Sequence, residues 1–491
     1  MSVRSAMKQE SFQIGEDIAP RKKIIRQDRI PVAVGRCFIF IDQFQLEIVN
    51  VSAFGVACVI RESDFHKIES LSKTKEFYKI PIAYNNIETQ QLHLRLVREE
   101  VLQNSVNGER IVGFEVVGEE LNVERIRALE MTADVLSEQE KSLKLAGEIP
   151  NDFKLVTYEM REWLSSLKIK IDEIEKSVPV DNAAKGLEFR ETVADAISDY
   201  LNLVLPAKYK HIPKLLEGRS PAAVEAATKF MREQVGAFVY GAPFAFRAYS
   251  KPRGYAGDYE MMNHLYRDER VGKSLFDQCM HKYFIDEPAG VAVKNRGRYL
   301  LEKIKTVVAR SSSKKIRILA VASGPAMEQQ LFLKEVTHNT GKEIEFVCID
   351  QDEESLKHAQ RQIQSADRFI KSGHTFRFVN LAIKNIIGRG LPEKNFDLIY
   401  TAGLFDYFTD PVAQLTATKL FEGLAPGGEL VIGNFSKDNP SVAFMEMVLD
   451  WHLIYRSVED LHKLFGGIDK QMVVEDEPLK INLFACLKNG K

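Results

Sequence analysis

The sequence predicts a multidomain protein, α+β at its N-terminal end and α/β at its C-terminal end. A small β-barrel comes first, then a helical region, then a doubly wound sheet. Three observations carry this. Apolar residues recur every second position between Cys37 and Val117. The pattern then turns helical and charged up to about Arg310. From Ile316 a buried strand, a glycine turn, a helix, a second strand and an acid follow one another, which is how a doubly wound sheet opens. A chain of 491 residues is also too long for one core.

Composition narrows the function. A net charge of −2 gives no bulk attraction to nucleic acid or to a membrane surface. The five cysteines (Cys37, Cys58, Cys279, Cys348 and Cys486) are scattered, without metal-ligand spacing. They read as buried thiols in a reducing compartment, with no metal site expected. No signal peptide or long apolar span is visible, so the expectation is a cytoplasmic protein without stable membrane insertion.

Five segments are expected: a disordered tail over 1–19, the barrel over 20–120, a helical linker over 121–180, a helical substrate or lid region over 181–290, and the doubly wound domain over 291–491. The barrel strands are Cys37–Ile41, Gln45–Val49, Gly55–Ile60, Phe77–Tyr84, Gln90–Val97 and Arg110–Val117. A basic run, Arg21 to Arg29, precedes them, and Asn50-Val51-Ser52-Ala53-Phe54-Gly55 joins the second to the third. These two features resemble a PilZ domain, a family that binds cyclic di-GMP through an R-x-x-x-R arm and a [D/N]-x-S-x-x-G strand edge. The resemblance implies nucleotide contacts from Lys22, Arg26, Arg29, Asn50, Ser52 and Gly55. The second motif matches in full. In the first, Arg26 and Arg29 stand three apart and the four-apart pair is Lys22 and Arg26, where lysine lacks the planar fork.

The linker is expected to hold two helices, Glu120–Leu145 and Phe153–Val178. Phe153, Val156, Met160, Trp163, Leu167, Ile174 and Val178 form a heptad-like stripe on the second. It suits a homodimer seam or an inward face equally. A helix Phe189–Leu205 is expected to stop before Pro206, and Ser220-Pro221 to start another that runs to about Tyr240.

Lys251-Pro252-Arg253-Gly254-Tyr255-Ala256-Gly257-Asp258-Tyr259 is dense in chemistry. Proline and glycines fix a sharp turn, arginine can hold a carboxylate through two hydrogen bonds, and tyrosines add donors. Arg253, Tyr255, Asp258, Tyr259 and the upstream Arg247 are therefore the catalytic candidates, on a loop that can close over the next domain. The alternative is a packed turn in which Arg253 and Asp258 pair.

In the doubly wound domain the first strand, Ile316–Ala322, leads into Ser323-Gly324-Pro325. The second, Ile344–Ile349, ends in Asp350. One glycine replaces the G-x-G-x-x-G that a pyrophosphate needs, so a nucleoside without phosphates fits better. Phe396-Asp397-Leu398-Ile399-Tyr400 and Leu424-Ala425-Pro426-Gly427-Gly428-Glu429-Leu430 follow as a strand and as a turn entering another. Their order resembles the class I S-adenosylmethionine (SAM)-dependent methyltransferases. The resemblance implies cofactor contacts from Ala322, Ser323, Gly324, Asp350, Gln351, Leu381, Ala382, Thr401 and Ala402, with Asn380 or a backbone carbonyl for the adenine amino group. Placed before such a domain, K-P-R-G-Y-A-G-D-Y-E-M-M resembles bacterial synthases of 3-hydroxy fatty acid methyl esters, a quorum-sensing signal. That implies methyl transfer to a fatty acid carboxylate. Arg253 or Arg247 would hold a carboxylate, and apolar faces around Val235, Phe238 and Phe244 would take the acyl chain. The alternative from another class is a non-catalytic, cyclic di-GMP-responsive regulator using the same fold.

Overall fold

The computed structural model describes residues 29–33, 35–41, 44–61, 64–65, 76–85, 87–101, 109–335, 341–370 and 373–490. The expected tail and the candidates Lys22 and Arg26 lie outside them. The chain divides into two units, Met1–Leu143 and Lys144–Lys491.

Among its described residues the first unit has seven strands: β1 (Ile30–Pro31), β2 (Cys37–Ile41), β3 (Phe44–Ser52), β4 (Gly55–Arg61), β5 (Glu76–Tyr84), β6 (Ile87–Val101) and β7 (Glu109–Val116). Six of them form an antiparallel barrel in the order β3-β2-β5-β6-β7-β4, which closes because β4 pairs back onto β3. The short β1, not expected, pairs with Asn50 and Val51 of β3. Alternation drives closure: Cys37, Ile39 and Ile41 of β2 point inward with Leu46 and Ile48 of β3. A register shift between Ile48 and Asn50 then resets the parity, so Val51 is buried. Asn50 and Ser52 are left together on the outer face. A Cβ at Gly55 would lie 3.3 Å from the Ser52 hydroxyl, so this hairpin needs a small residue there.

The second unit opens with helices. The helix Asn151–Glu175 buries Phe153, Met160, Leu164 and Ile171 in one core with the helices Ala183–Tyr209, Pro221–Val239 and Leu275–Asp286. The heptad-like stripe is therefore largely an inward face. Ala183–Tyr209 does not stop before Pro206 but runs through it. Pro206 sits in the last turn, where only one intrahelical donor is lost and Leu205 and Tyr209 are held by burial. Pro221–Val239 starts as expected, with the Ser220 hydroxyl accepting from the Ala223 N–H at 3.2 Å.

The sheet of this unit contains β8 (Lys315–Val321), β9 (Glu343–Asp350), β10 (Thr375–Asn380), β11 (Phe396–Thr401), β12 (Leu424–Phe435), β13 (Val473–Asp476) and β14 (Asn482–Lys488). Its order is β10-β9-β8-β11-β12-β14-β13. The first five run parallel, and β14 is antiparallel to both neighbours. Ile316 and Ile318 pack on Leu300, Leu301 and Ile304 on one face, while Leu319 and Val321 pack on Ile386, Ala417 and Leu420 on the other. Burial on both faces is why these strands read as continuous apolar runs. The Leu424–Gly428 turn is a bulge inside β12, where the pairing with β11 jumps from Leu424 to Glu429. The order reverses between β8 and β11, and a ligand site is expected outside their carboxyl ends.

Candidate functional site

At that switch point lies a cavity of about 550 Å³. Its floor is the turn after β8. Ala322, Gly324 and Ala326 all take left-handed backbone, with φ of 54°, 53° and 54°. Two alanines in that region are strained, and the turn is pinned from outside. The Ser323 N–H donates to the Ile349 carbonyl at 3.1 Å, and the Gly324 N–H donates to Asp350 Oδ2 at 2.9 Å. Asp350, at the tip of β9, also accepts the Asp352 N–H on Oδ1 at 2.9 Å. Burial pushes its carboxyl above the usual range, against the lowering effect of those two N–H groups.

Val321, Ala322, Ser323, Gly324, Asp350 and Gln351 line the cavity, with Leu381, Ile383 and Ile386 beyond β10 and Ala402, Gly403 and Leu404 beyond β11. Two cofactor candidates stand elsewhere. Ala382 begins the helix Ile383–Arg389, and Thr401 is buried at the end of β11 without lining the space. The Asn380 side-chain NH2 donates to the Asp350 and Gln351 carbonyls, at 3.2 and 3.0 Å, and Asn380 does not line the cavity.

The roof comes from the aromatic loop. The helix Pro243–Ser250 ends at Lys251 in left-handed backbone, Gly254 follows with φ of 84°, and Asp258 caps the helix Tyr259–Arg267. Arg253, Tyr255, Tyr259 and Gly257 line the cavity. The Arg253 guanidinium donates to both Asp352 oxygens at 2.9 Å and lies 4.8 Å from the Tyr259 ring centroid. The Tyr255 hydroxyl reaches the same carboxylate at 3.4 Å. A Cβ on Gly257 would stand 3.2 Å from the Tyr407 hydroxyl and 3.3 Å from Trp451, so the loop approaches these two side chains tightly here.

The expected catalytic set therefore divides. Arg247 and Asp258 do not line the space. They pair with each other at 2.7 and 2.9 Å, and Asp258 also receives the Met261 N–H at 3.0 Å. The pairing expected for Arg253 and Asp258 is replaced by two separate pairs, Arg247–Asp258 and Arg253–Asp352. Asp406 is a core residue, holding the Phe435 N–H at 2.6 Å, while Tyr407 lines the cavity and accepts from the Trp451 indole at 2.9 Å.

Sequence reasoning missed Met262, Tyr266, Arg296, Glu328 and Ser355, all lining residues. Arg296 had a signal. It falls on the apolar stripe Ala292, Val293, Leu300, Leu301 and Ile304, where a cation is out of pattern. Ser323 Oγ, Ser355 Oγ and Arg296 Nε are buried without a hydrogen-bond partner. Three orphaned polar atoms around one cavity suit a polar ligand that supplies what they lack.

Residues 312–476 match a family model described as a methyltransferase domain. This part of the chain is a methyltransferase domain. No curated protein matches the chain. Among solved structures, a possible exported protein from Bordetella parapertussis is similar at 14% identity, covering 61% of this chain and 97% of its own, with a TM-score of 0.39. The CurJ carbon methyltransferase is similar at 14% identity, covering 67% and 99%, with a TM-score of 0.35. The magnesium protoporphyrin IX methyltransferase from Synechocystis PCC 6803 with bound SAH is similar at 12% identity, covering 50% and 97%, with a TM-score of 0.34. No described helix is long and apolar enough to cross a membrane.

Proposed function

We propose that the chain transfers a methyl group from SAM to the carboxylate of a 3-hydroxy fatty acid, yielding the methyl ester. The observation that carries this is the cavity itself. Asp350 and the Ser323-Gly324 turn form one wall, the loop after β11 a second, and the Arg253–Tyr259 loop the third. Asp350 presents an acceptor for ribose hydroxyls, and Leu381, Ile383 and Ile386 an apolar seat for a purine. The single glycine leaves no cradle for phosphates. SAM supplies an electrophilic methyl group on a sulfonium. A carboxylate acceptor is already the nucleophile near pH 7, so the chain's own work is to align the oxygen with the methyl carbon and exclude water. Tyr255, Tyr259 and Tyr407 have hydroxyls at hand for orientation. Val235, Phe238 and Phe244, the residues expected to take the acyl chain, belong to the packed helical core and do not line this cavity. Five free buried cysteines fit a cytoplasmic enzyme.

Asp350→Asn keeps the shape and loses the charge. SAM affinity, measured by calorimetry, is expected to fall on the order of a hundredfold, from two charge-assisted hydrogen bonds. Unchanged affinity would sink the donor assignment. Purified wild-type protein with SAM and 3-hydroxyhexadecanoic acid is expected to give the methyl ester by mass spectrometry. A methylated product on another acceptor class would replace the substrate while keeping the donor.

For the barrel we propose cyclic di-GMP binding that regulates this activity. The matched Asn50–Gly55 motif supports it, as does an open cavity of about 540 Å³ lined by Arg29, Ser52 and Arg127, among others. Asn50 and Gly55 lie on the adjoining strands without lining that space. Calorimetric titration should show micromolar or tighter binding that Ser52→Ala and Arg29→Ala weaken. No heat at that concentration would leave the barrel as an interaction module.

A further inference from the structure

One buried cation in the methyltransferase cavity lacks a counter-ion. Arg296 is on the inward stripe of the helix Pro288–Arg310 and is only 7% exposed. Among the described residues it forms no ion pair. Its Nη2 reaches only the Met262 sulfur, a weak acceptor at 3.4 Å, its other polar neighbour is the neutral Tyr266 hydroxyl, and its Nε has no partner. The other guanidinium of the cavity, on Arg253, already has a carboxylate, since its Nη1 donates to both oxygens of Asp352. Two buried carboxyls, Glu328 and Asp406, feel the Arg296 charge, yet neither reaches ion-pair distance of it. Taking a guanidinium out of water without a carboxylate is unfavourable, and a ligand anion would offset that.

The position of the group says where that anion would sit. A Cβ on Gly403 would lie 3.1 Å from both terminal nitrogens of Arg296, so the fork is pressed against the loop that leaves β11. Met262 and Tyr266, from the helix after the aromatic loop, complete its surroundings together with Glu328. The free edge of a planar fork held in this way matches a carboxylate through two parallel hydrogen bonds.

We propose that Arg296 receives a ligand carboxylate in this cavity, which removes that role from Arg253 and Arg247. The proposal rests on the methyltransferase reading above. In that reaction a carboxylate has two sources: the amino-acid end of SAM and the acceptor acid.

The test uses the full chain, wild type, Arg296→Gln and Arg296→Lys. Calorimetry compares SAM with decarboxylated SAM, and ester formation gives KM for 3-hydroxyhexadecanoic acid. If SAM's carboxylate is the ligand, Arg296→Gln loses SAM affinity on the order of ten- to a hundredfold and leaves decarboxylated SAM unchanged. If the acceptor's is, SAM affinity holds and KM rises by a similar factor. The lysine variant keeps charge but not the fork. It is expected to fall between the other two, and it serves if the glutamine variant does not fold. Equal loss for both donors, or no change in either affinity or KM, overturns the proposal. A wild-type protein that binds no SAM is a different result and overturns the donor assignment instead.

Discussion

Asp406 shows how far a single position can depart from its reading in isolation. It stands in the loop after β11, whose neighbours line the cavity, yet packing makes it a core residue. Burial pushes its carboxyl up to about 6, with the Phe435 N–H, Arg296 and Arg456 pulling the other way. An unfolded aspartate titrates near pH 3.9. The folded state therefore holds this proton more tightly. Its contribution is full below the unfolded value and is lost as pH rises through about 6. Asp406→Asn removes the titration while keeping an acceptor for Phe435. In urea unfolding, the fall in stability between pH 4.5 and 7 should shrink by on the order of 1–3 kcal/mol. An unchanged slope would place the titration elsewhere. Residues of this kind divide sharply in legibility. Asp350 could be read from sequence because a strand tip at a switch point is a topological address. Arg296 left only the faint mark of a cation on an apolar stripe, because a charged residue in a helix ordinarily faces water and only the tertiary fold turns that stripe inward.

Among the elements, the sheet strands were the most legible, since two-sided burial writes itself as an apolar run with few exceptions. The barrel strands were nearly as clear, because one-sided burial enforces alternation. What escaped was what depends on partners. The edge strand β13 is only four residues long and half exposed. Pro206 stays helical because the residues around it are buried. The aromatic loop was legible as chemically dense, but which carboxylate each arginine meets was not, since Asp352 is 99 positions from Arg253. The loop's place as a roof over the cavity rests on Gly257, packed against Tyr407 and Trp451. Gly257→Val should force the loop outward and cost about 1–3 kcal/mol of stability. With it, SAM affinity is expected to weaken about tenfold, as one wall of the site withdraws. Thermal melts and calorimetry on the same preparation check both. An intact affinity beside a lowered melting temperature would mean the loop packs without closing the site.

For the whole molecule, the relevant fact is that the two units have separate cores. The barrel core ends with Ile126 and its flanking Leu129 and Ala133, and the helical core begins at Ile149. Among the described residues, no buried one belongs to both cores. A fragment covering 144–491 is expected to fold, with a helical circular dichroism spectrum, and to bind SAM within about twofold of the full chain. A fragment that is unfolded or has lost affinity would show that the barrel is needed for more than regulation. Within that second unit, the Arg253–Asp352 pair ties the roof to the sheet. A molecule that leaves the cavity past the roof is expected to need these two charges to separate. Residence time, more than equilibrium affinity, is then the property this pair sets, and added salt that shields the charges would shorten the stay of donor and by-product alike.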